Sequence, residues 1–404
     1  MPFAPGLPRR TWIVLTLAIA ALLACLVLYM HLPYAHGDQN LYDRYAWDFW
    51  AGRSGARFRA LPAEYPLLAL LPFSLAILPP VPDFITVFAL WMLGLLVAGV
   101  LVIARRESPR VAEVVLVYVA VGAWGTVLGR YDLVPAAATL AALWAARGRR
   151  FGLAYALLAA GALLKLYPAL LVPVVAIEQW RALGRPPLRS RPPPAVLAGV
   201  ATFCLLTGAG FGVAFLLDPS GWLGPFTYNA RRPLQLESVP ATLLWLSGLL
   251  GFPVGPDKSF GSVNLVGQLD GAIGLAAEVA LLAGLLWVYA SQAAGRLEAA
   301  AAFAGCLLVV ICAGRVLSPQ YLIWVLPFIA IVQRGYDRLW LAICAATTLV
   351  FPFGYLQLHP AEPGQPASYP AFLLGLIALR NAALVVATVR FLATSSTTRT
   401  AAAT

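Results

Sequence analysis

The chain has 404 residues, of which 61% are hydrophobic and 11% are charged. Soluble domains carry about a quarter charged residues, so this composition excludes a soluble globular protein. The formal net charge of +11 would suggest a nucleic-acid partner in a soluble protein. Here the arginines cluster in short loops between apolar stretches, as cytoplasmic loops do. We therefore expect an integral membrane protein that binds no nucleic acid.

The apolar stretches predict an all-α polytopic membrane protein in one domain, residues 1–404. A membrane-spanning helix needs about 20 apolar residues, and the stretches are continuous and rich in Leu and Ala rather than alternating as in strands. The first run follows Arg9 and Arg10 and is interpreted as a helix that stays in the protein. We predict twelve spans, with both termini in the cytoplasm: 11–32, 84–104, 111–128, 131–147, 151–164, 166–178, 195–217, 272–292, 298–314, 320–333, 338–356 and 371–392.

Two further apolar segments, 65–80 and 238–252, do not fit as crossings, because counting either one would invert every later loop. We interpret both as re-entrant or interfacial helices. They belong to the predicted outer loops 33–83 and 218–271, which we expect to form the active-site face. For the same reason of charge placement, we expect the chain to turn at 165–168.

Carboxylates and aromatic residues gather in the first outer loop, where Asp38 and Asp43 flank Tyr42. Carboxylates can bind sugar hydroxyls or accept their protons, and aromatic faces can stack on sugar rings. An amphipathic helix at the membrane surface, with its aromatic side chains at headgroup level, would produce the same pattern. The residues alone leave both interpretations open.

Basic residues on the predicted outer side form a second group. Arg130 lies at a tight turn next to Asp132, Lys165 precedes a Tyr-Pro pair, and Arg231 and Arg232 are adjacent. Such outward charges can bind phosphate. The alternatives are an internal Arg–Asp pair, a Lys side chain that extends to the membrane surface, and contact with lipid headgroups.

Arg380 lies within the last predicted span, about 15 Å from its outer end at the rise of an α-helix. A charge at that depth needs a partner, either a carboxylate of a neighbouring helix or a lipid phosphate. His31, His36 and His359 are too dispersed for a convincing metal site, and the sequence contains no P-loop and no Asp-x-Asp pair. We expect neither a metal nor another cofactor.

Several segments, in order along the chain, resemble glycosyltransferase family 87. The first loop, GDQNLYDRYAWDFWAG, is followed by EYPLLALLPFSLAILP. Asp38, Tyr42, Gly52 and 65–67 stand where that family has an Asp, a Tyr, a Gly and Tyr-Pro-Pro-Leu, although the second Pro is missing. Further matching segments are KLYPALLVP at 165–173, RRPLQLESVPATLLWL at 231–246, RVLSPQYLIWVLP at 315–327 and LRNAALVV at 379–386. Relatives often have Gly-Gln where this chain has Gly129-Arg130.

The resemblance implies a GT-C fold in the cell membrane and a polyprenyl-phosphate-sugar donor, typically carrying mannose. It also implies a glycolipid or glycan acceptor on the periplasmic or extracellular side, often in actinobacteria, and an inverting mechanism without a metal. By the same resemblance Asp38 is the expected general base, with Asp43 as the alternative. The expected ligands of the donor phosphate are Lys165, Arg231, Arg232 and Arg130. The other expected substrate-binding residues are Tyr42, Tyr65, Tyr167, Gln235, Glu237, Ser238, Gln320, Tyr321 and Arg380.

A transporter or flippase of a phosphorylated or glycosylated lipid is the alternative function. Twelve spans around a basic cavity would suit such a protein. Transporters built from inverted repeats carry paired broken helices in matching halves, and no such pair is visible in this sequence. The polar residues also lie toward one face instead of at the midplane, which favours the transferase.

Overall fold

Helices form most of the protein. The computed structural model describes residues 9–32, 36–53, 57–81, 83–185, 193–358 and 369–397. Its α-helices are α1 (Arg9–Met30), α2 (Gly37–Ala51), α3 (Leu70–Leu75), α4 (Phe84–Arg106), α5 (Pro109–Gly122), α6 (Trp124–Val127), α7 (Leu133–Arg147), α8 (Phe151–Leu164), α9 (Val172–Ala182), α10 (Pro194–Leu217), α11 (Gly224–Arg231), α12 (Val239–Leu249), α13 (Asp270–Ala293), α14 (Ala299–Ala313), α15 (Leu322–Gln333), α16 (Arg338–Thr348) and α17 (Ala371–Thr397). Short helical turns lie at Leu67–Ala69, Tyr167–Leu171, Pro319–Tyr321, Leu349–Phe353 and Gly354–Gln357.

Each of the twelve predicted spans coincides with one of these helical elements or with two or three consecutive ones, which confirms a helical membrane protein. Six of the described helical segments are long and apolar enough to cross a bilayer: Trp12–Met30, Phe84–Arg106, Pro194–Leu217, Asp270–Ala293, Arg338–Leu356 and Ala371–Thr394. The helices of the other predicted spans have 11 to 15 residues. Twelve crossings therefore stay a prediction, as does the re-entrant placement of 65–80 and 238–252.

Short helices form the buried core, and several of the long helices pack around it. Nearly all side chains of α14 and α15 are buried, and α5 packs between α4, α15 and α16. Small residues, such as the run of alanines that opens α14, let neighbouring helices approach closely. Helix α10, by contrast, is almost entirely exposed. Its exposed leucines are those of a helix that faces lipid.

The expectation of helices alone is wrong for one segment of the second predicted outer loop. Strands β1 (Leu234–Gln235), β2 (Val254–Ser259) and β3 (Ser262–Gly267) form an antiparallel sheet in the order β1-β3-β2. Phe260 and Gly261 connect β2 to β3, and both have positive φ angles, 53° and 59°, as two-residue hairpin turns require. The segment mixes Pro, Gly, Asp, Lys and Ser, so it lacks the apolar face that a helix would need.

Helix α2 is fixed to its neighbours at its first turn. The Tyr29 hydroxyl of α1 donates a hydrogen bond to Oε1 of Gln39 at 2.8 Å, and Nε2 of Gln39 donates to the Ile85 carbonyl of α4 at 3.2 Å. A side chain at Gly129 would collide with the Tyr29 hydroxyl, so the turn that contains Gly129 also packs closely against this corner. Asp38 is the neighbour of Gln39, and its position is therefore well defined.

The structure interrupts the helix at the predicted turn, 165–168, while the reversal of the chain across the membrane at this point stays a prediction. Helix α8 ends at Leu164, and Lys165 adopts an extended backbone with φ −156° and ψ 137°. A short helical turn, Tyr167–Leu171, follows and leads into α9. The break leaves Lys165 at the end of a helix, beside the other polar turns.

Candidate functional site

A cavity of about 1280 Å³ opens where the predicted outer loops meet. Its walls come from α2, the segment before α3, the turn before α7, the break after α8, α11, the β2–β3 hairpin, α13, α14 and the turn before α15. Residues of both predicted outer loops, 33–83 and 218–271, line this cavity together. Within these loops, 33–35, 54–56 and 82 lie outside the described residues. The volume is large enough for a small organic ligand.

Most of the predicted site residues line this cavity. They are Asp38, Tyr65, Arg130, Lys165, Tyr167, Arg232, Gln235, Glu237, Gln320 and Tyr321. They come from six separate parts of the sequence, and only the fold brings them together.

Two predicted substrate-binding residues have other surroundings. Tyr42 is buried, and its ring stacks on Phe73 at 4.2 Å between centroids. Ser238 is buried at the start of α12, where its hydroxyl accepts a hydrogen bond from the Ala241 amide at 3.1 Å, as an N-cap residue does. Both side chains stabilise the walls of the site and do not line the cavity.

Two other predicted residues also lie off the cavity lining. Asp43 is half-buried on α2; burial raises the pKa of its carboxyl, while the charge of Arg53 acts in the opposite direction. Arg231 is exposed at the end of α11. Of the two acidic candidates for the base, Asp38 is the one whose side chain borders the cavity.

Arg380 forms an internal ion pair, as its predicted depth in the membrane requires. Its Nη1 lies 2.9 Å from Oε2 of Glu237, its Nη2 donates to the Glu237 carbonyl at 2.7 Å, and the two side chains are 1% and 0% exposed. The hydroxyl of Tyr355 donates to the other Glu237 oxygen at 2.8 Å. Glu237 thus borders the cavity with both carboxylate oxygens already bound, and Arg380 lies behind it.

Asp38 forms an ion pair with Arg130. The distance between Oδ2 of Asp38 and Nε of Arg130 is 2.8 Å, and the side chains are 28% and 12% exposed. The Gly129-Arg130 departure from the usual Gly-Gln thus places a cation against the candidate base. In this structure Arg130 contacts the carboxylate, whereas the sequence suggested it as a phosphate ligand.

Lys165 lies in a cage of aromatic rings around a buried carboxylate. Its Nζ is 2.7 Å from Oδ1 of Asp132, which also accepts a hydrogen bond from Nε1 of Trp324 at 2.6 Å. The ring centroids of Tyr131, Trp324, Tyr321 and Tyr65 lie 5.1 to 5.9 Å from this ammonium, within cation–π range. Trp324 was not predicted, since it looks like one more apolar residue of α15.

Glu64 and Tyr228 also line the cavity and were not predicted. The Tyr228 hydroxyl donates to the Phe260 carbonyl, which joins α11 to the tip of the hairpin. Burial raises the pKa of Tyr228 to about 12, Arg232 lowers it, and the negative charges of Glu64 and Asp38 raise it further. Both carboxylates and Arg232 are therefore close enough to this phenol to act on it.

Among the described residues, no group of three or more His, Cys, Asp or Glu side chains could hold a metal ion. The charged groups that line the cavity are instead carboxylates, two lysines and arginines.

The sequence model of glycosyltransferase family 87 matches residues 64–319, more than half of the chain. The matched region contains Lys165, Arg232 and Glu237, while Asp38 precedes it. A comparison with curated proteins finds no match. With its apolar helices and the polar cavity between them, the chain belongs to glycosyltransferase family 87 and is a membrane glycosyltransferase.

Proposed function

We propose that the protein transfers a sugar, with mannose as the first candidate, from a polyprenyl-phosphate donor to a hydroxyl of a glycolipid or glycan on the outer face of the cell membrane. The carrying observation is one cavity that holds the carboxylate of Asp38 together with the cations of Lys165 and Arg232. A glycosyl transfer from a lipid phosphate needs both, a base for the acceptor and positive charge for the leaving group.

The proposed reaction is a single inverting displacement. Asp38 accepts the proton of the acceptor hydroxyl, and the hydroxyl oxygen attacks the anomeric carbon. The bond from that carbon to the phosphate oxygen breaks, and polyprenyl phosphate leaves with the electron pair. Nε of Arg130 lies 2.8 Å from Oδ2 of Asp38, so the charge of Arg130 attracts the carboxylate and keeps it beside the cavity.

The pairing of the cations favours Arg232 as the main ligand of the phosphate. Lys165 is compensated by Asp132, and Arg130 by Asp38. Among the described residues Arg232 forms no ion pair, and its buried Nε has no hydrogen-bond partner. A buried N–H group without a partner is costly, and a phosphate oxygen would satisfy it. Lys165 would then contribute a fixed positive charge beside the phosphate.

The polyprenyl tail would occupy the apolar part of the cavity. Leu281 of α13 and Val310 and Ala313 of α14 belong to the lining, and α13 also exposes Leu275, Val279 and Leu282 on its surface. A tail between these helices would remain in the hydrocarbon region and keep its phosphate near headgroup depth.

The test uses the purified protein in lipid nanodiscs with EDTA present. Synthetic polyprenyl-phosphate mannose and GDP-mannose are offered as donors to octyl mannoside. We expect a disaccharide from the lipid donor and none from the nucleotide sugar. Transfer from GDP-mannose that requires a metal would refute the proposed donor. Lipid movement across the bilayer of proteoliposomes, without a new glycosidic bond, would support the flippase alternative.

A further inference from the structure

The cavity carboxylates differ in their partners. Glu237 is bound by Arg380, Asp38 by Arg130, and Glu278 by Arg315 at 2.8 Å. Glu64 is different, because its hydrogen-bond partner is the neutral hydroxyl of Tyr45. Arg44 and Lys258 line the same cavity, yet among the described residues neither forms an ion pair with Glu64. Its negative charge is therefore not neutralised by an adjacent cation.

The backbone around Glu64 is held from two sides. The Ala63 amide donates to the Tyr45 hydroxyl of α2 at 3.3 Å. On the other side, α11 begins so close that a Cβ at Gly224 would lie 3.0 Å from the Ala63 carbonyl oxygen. A carboxylate held between two helices and turned to a cavity is pre-organised for binding, since little conformational entropy is lost when a ligand arrives.

Glu64 lies on the same side of α2 as the candidate base. Asp38 and Tyr45 are seven residues apart, so they share a face of α2 at an axial separation of about 10 Å. Asp38, Glu64 and Tyr65 all line the cavity. Burial raises the pKa of the Tyr65 phenol most, and the negative charges of Asp38 and Glu64 raise it further. The two carboxylates thus border one space without contacting each other.

We propose that Glu64 binds a hydroxyl of the acceptor sugar, other than the reacting one, and thereby determines which acceptor is used. This inference rests on the proposed function. An ionised carboxylate is an acceptor-only group, and its hydrogen bonds with hydroxyls are charge-assisted. An uncompensated negative charge repels the donor phosphate, which Arg232 and Lys165 attract. A neutral carbohydrate rich in O–H donors is the ligand that suits Glu64.

Tyr45 acts in this scheme as a positioning residue. Its hydroxyl occupies one oxygen of Glu64 and also accepts the Ala63 amide hydrogen, so it fixes the direction in which the other oxygen points. Removal of the hydroxyl in Tyr45→Phe should weaken acceptor recognition less than Glu64→Gln does, because the carboxylate remains.

The experiment uses octyl mannoside and its four monodeoxy analogues, with polyprenyl-phosphate mannose as donor and the full chain in nanodiscs. The analogue that lacks the reacting hydroxyl should give no product. Of the other three, one should show a wild-type kcat/KM that is lower by about tenfold to a hundredfold, the usual effect of losing a charge-assisted hydrogen bond. Glu64→Gln should lower kcat/KM for octyl mannoside by a similar factor and should no longer discriminate against that analogue. The KM for the donor and its slow hydrolysis by water should not change.

Glu278→Gln is the matched control, because it neutralises another carboxylate of the same cavity that is paired with Arg315. It should keep the wild-type discrimination among the deoxy analogues. Saturation-transfer NMR of octyl mannoside, recorded without donor, gives a second measurement that does not depend on turnover, and Glu64→Gln should weaken its signal.

Two outcomes would overturn the inference. Unchanged discrimination by Glu64→Gln would show that no acceptor hydroxyl contacts this residue. A change in donor KM alone would assign Glu64 to the donor. If the wild type formed no glycosidic bond from any lipid-phosphate donor, the proposed function would fail instead, and unaltered NMR binding by Glu64→Gln would then refute the inference independently.

Discussion

Replacement of Arg380 by methionine should destabilise the protein severely. The change removes the guanidinium that holds Glu237 and leaves a carboxylate at 0% exposure with only the Tyr355 hydroxyl as a partner. Breaking a buried ion pair from one side typically costs about 3–5 kcal/mol. Arg380 also donates to the Glu237 carbonyl at 2.7 Å, so a value in the upper part of this range is expected.

The free energy of unfolding would be measured by denaturant titration of the protein in detergent micelles. Arg390→Met is the matched control on the same helix, since Arg390 pairs with Asp337 at 3.1 Å while 59% exposed. Exposed pairs contribute about 0–1 kcal/mol, so this control should unfold almost as the wild type does. The double variant Arg380→Met/Glu237→Gln should recover part of the loss, because no charge remains buried without a partner.

The result also decides the role of Arg380. A wild-type free energy of unfolding for Arg380→Met, together with a raised KM for the donor, would refute the structural assignment. Arg380 would then bind substrate, as the sequence suggested. Equal destabilisation by the single and the double variant would show that lost packing, and not the unpaired charge, causes the effect.

Three further predictions concern the reaction and its orientation. Asp38→Asn should lower kcat by about 10²–10⁴-fold, the usual contribution of a general base, with donor binding retained in an equilibrium assay; a normal rate, together with inactivity of Asp43→Asn, would assign the base to Asp43. Lys165→Ala and Arg232→Ala should each lower kcat/KM for the donor by about tenfold to a hundredfold, and a change confined to acceptor KM would place them in the acceptor site. A single cysteine at Arg231, in a background without native cysteines, should react with an impermeant thiol reagent in intact cells.

The orientation test has its control on the opposite side. A cysteine at Arg150, an exposed residue between α7 and α8, should react only after the membrane is permeabilised. Labelling of the two positions in the reverse order would contradict an outward-facing cavity.

The helices could be predicted from sequence because their signal is local. Apolar runs gave twelve segments, and each coincides with helix. The hairpin at 254–267 was missed because its stability depends on pairing with β1 and on the contact between Tyr228 and Phe260. Such contacts link parts of the chain that are far apart, and a pattern within a short window does not contain them.

In the candidate site, too, the sequence predicted individual residues but not the long-range contacts between them. The sequence marked Asp38, Arg130 and Lys165 as unusual charges but did not pair them. The structure pairs Arg130 with Asp38 and Lys165 with Asp132, across 92 and 33 residues of sequence. The available sequence signal for Glu64 was its place directly before the Tyr-Pro motif. Only its position in the cavity distinguishes it from a surface carboxylate.

The hydrogen bond from Tyr29 to Gln39 has a practical consequence for anyone who engineers this enzyme. Through that bond the first helix fixes the turn of α2 that carries Asp38, so shortening or exchanging the helix would alter more than membrane insertion. A chimera that replaces residues up to Met30 with an unrelated membrane helix should still insert. Without the tyrosine, however, Gln39 would keep only its bond to the Ile85 carbonyl. The Asp38 carboxylate would then be less firmly positioned, and the rate of catalysis should fall although every proposed substrate ligand remained.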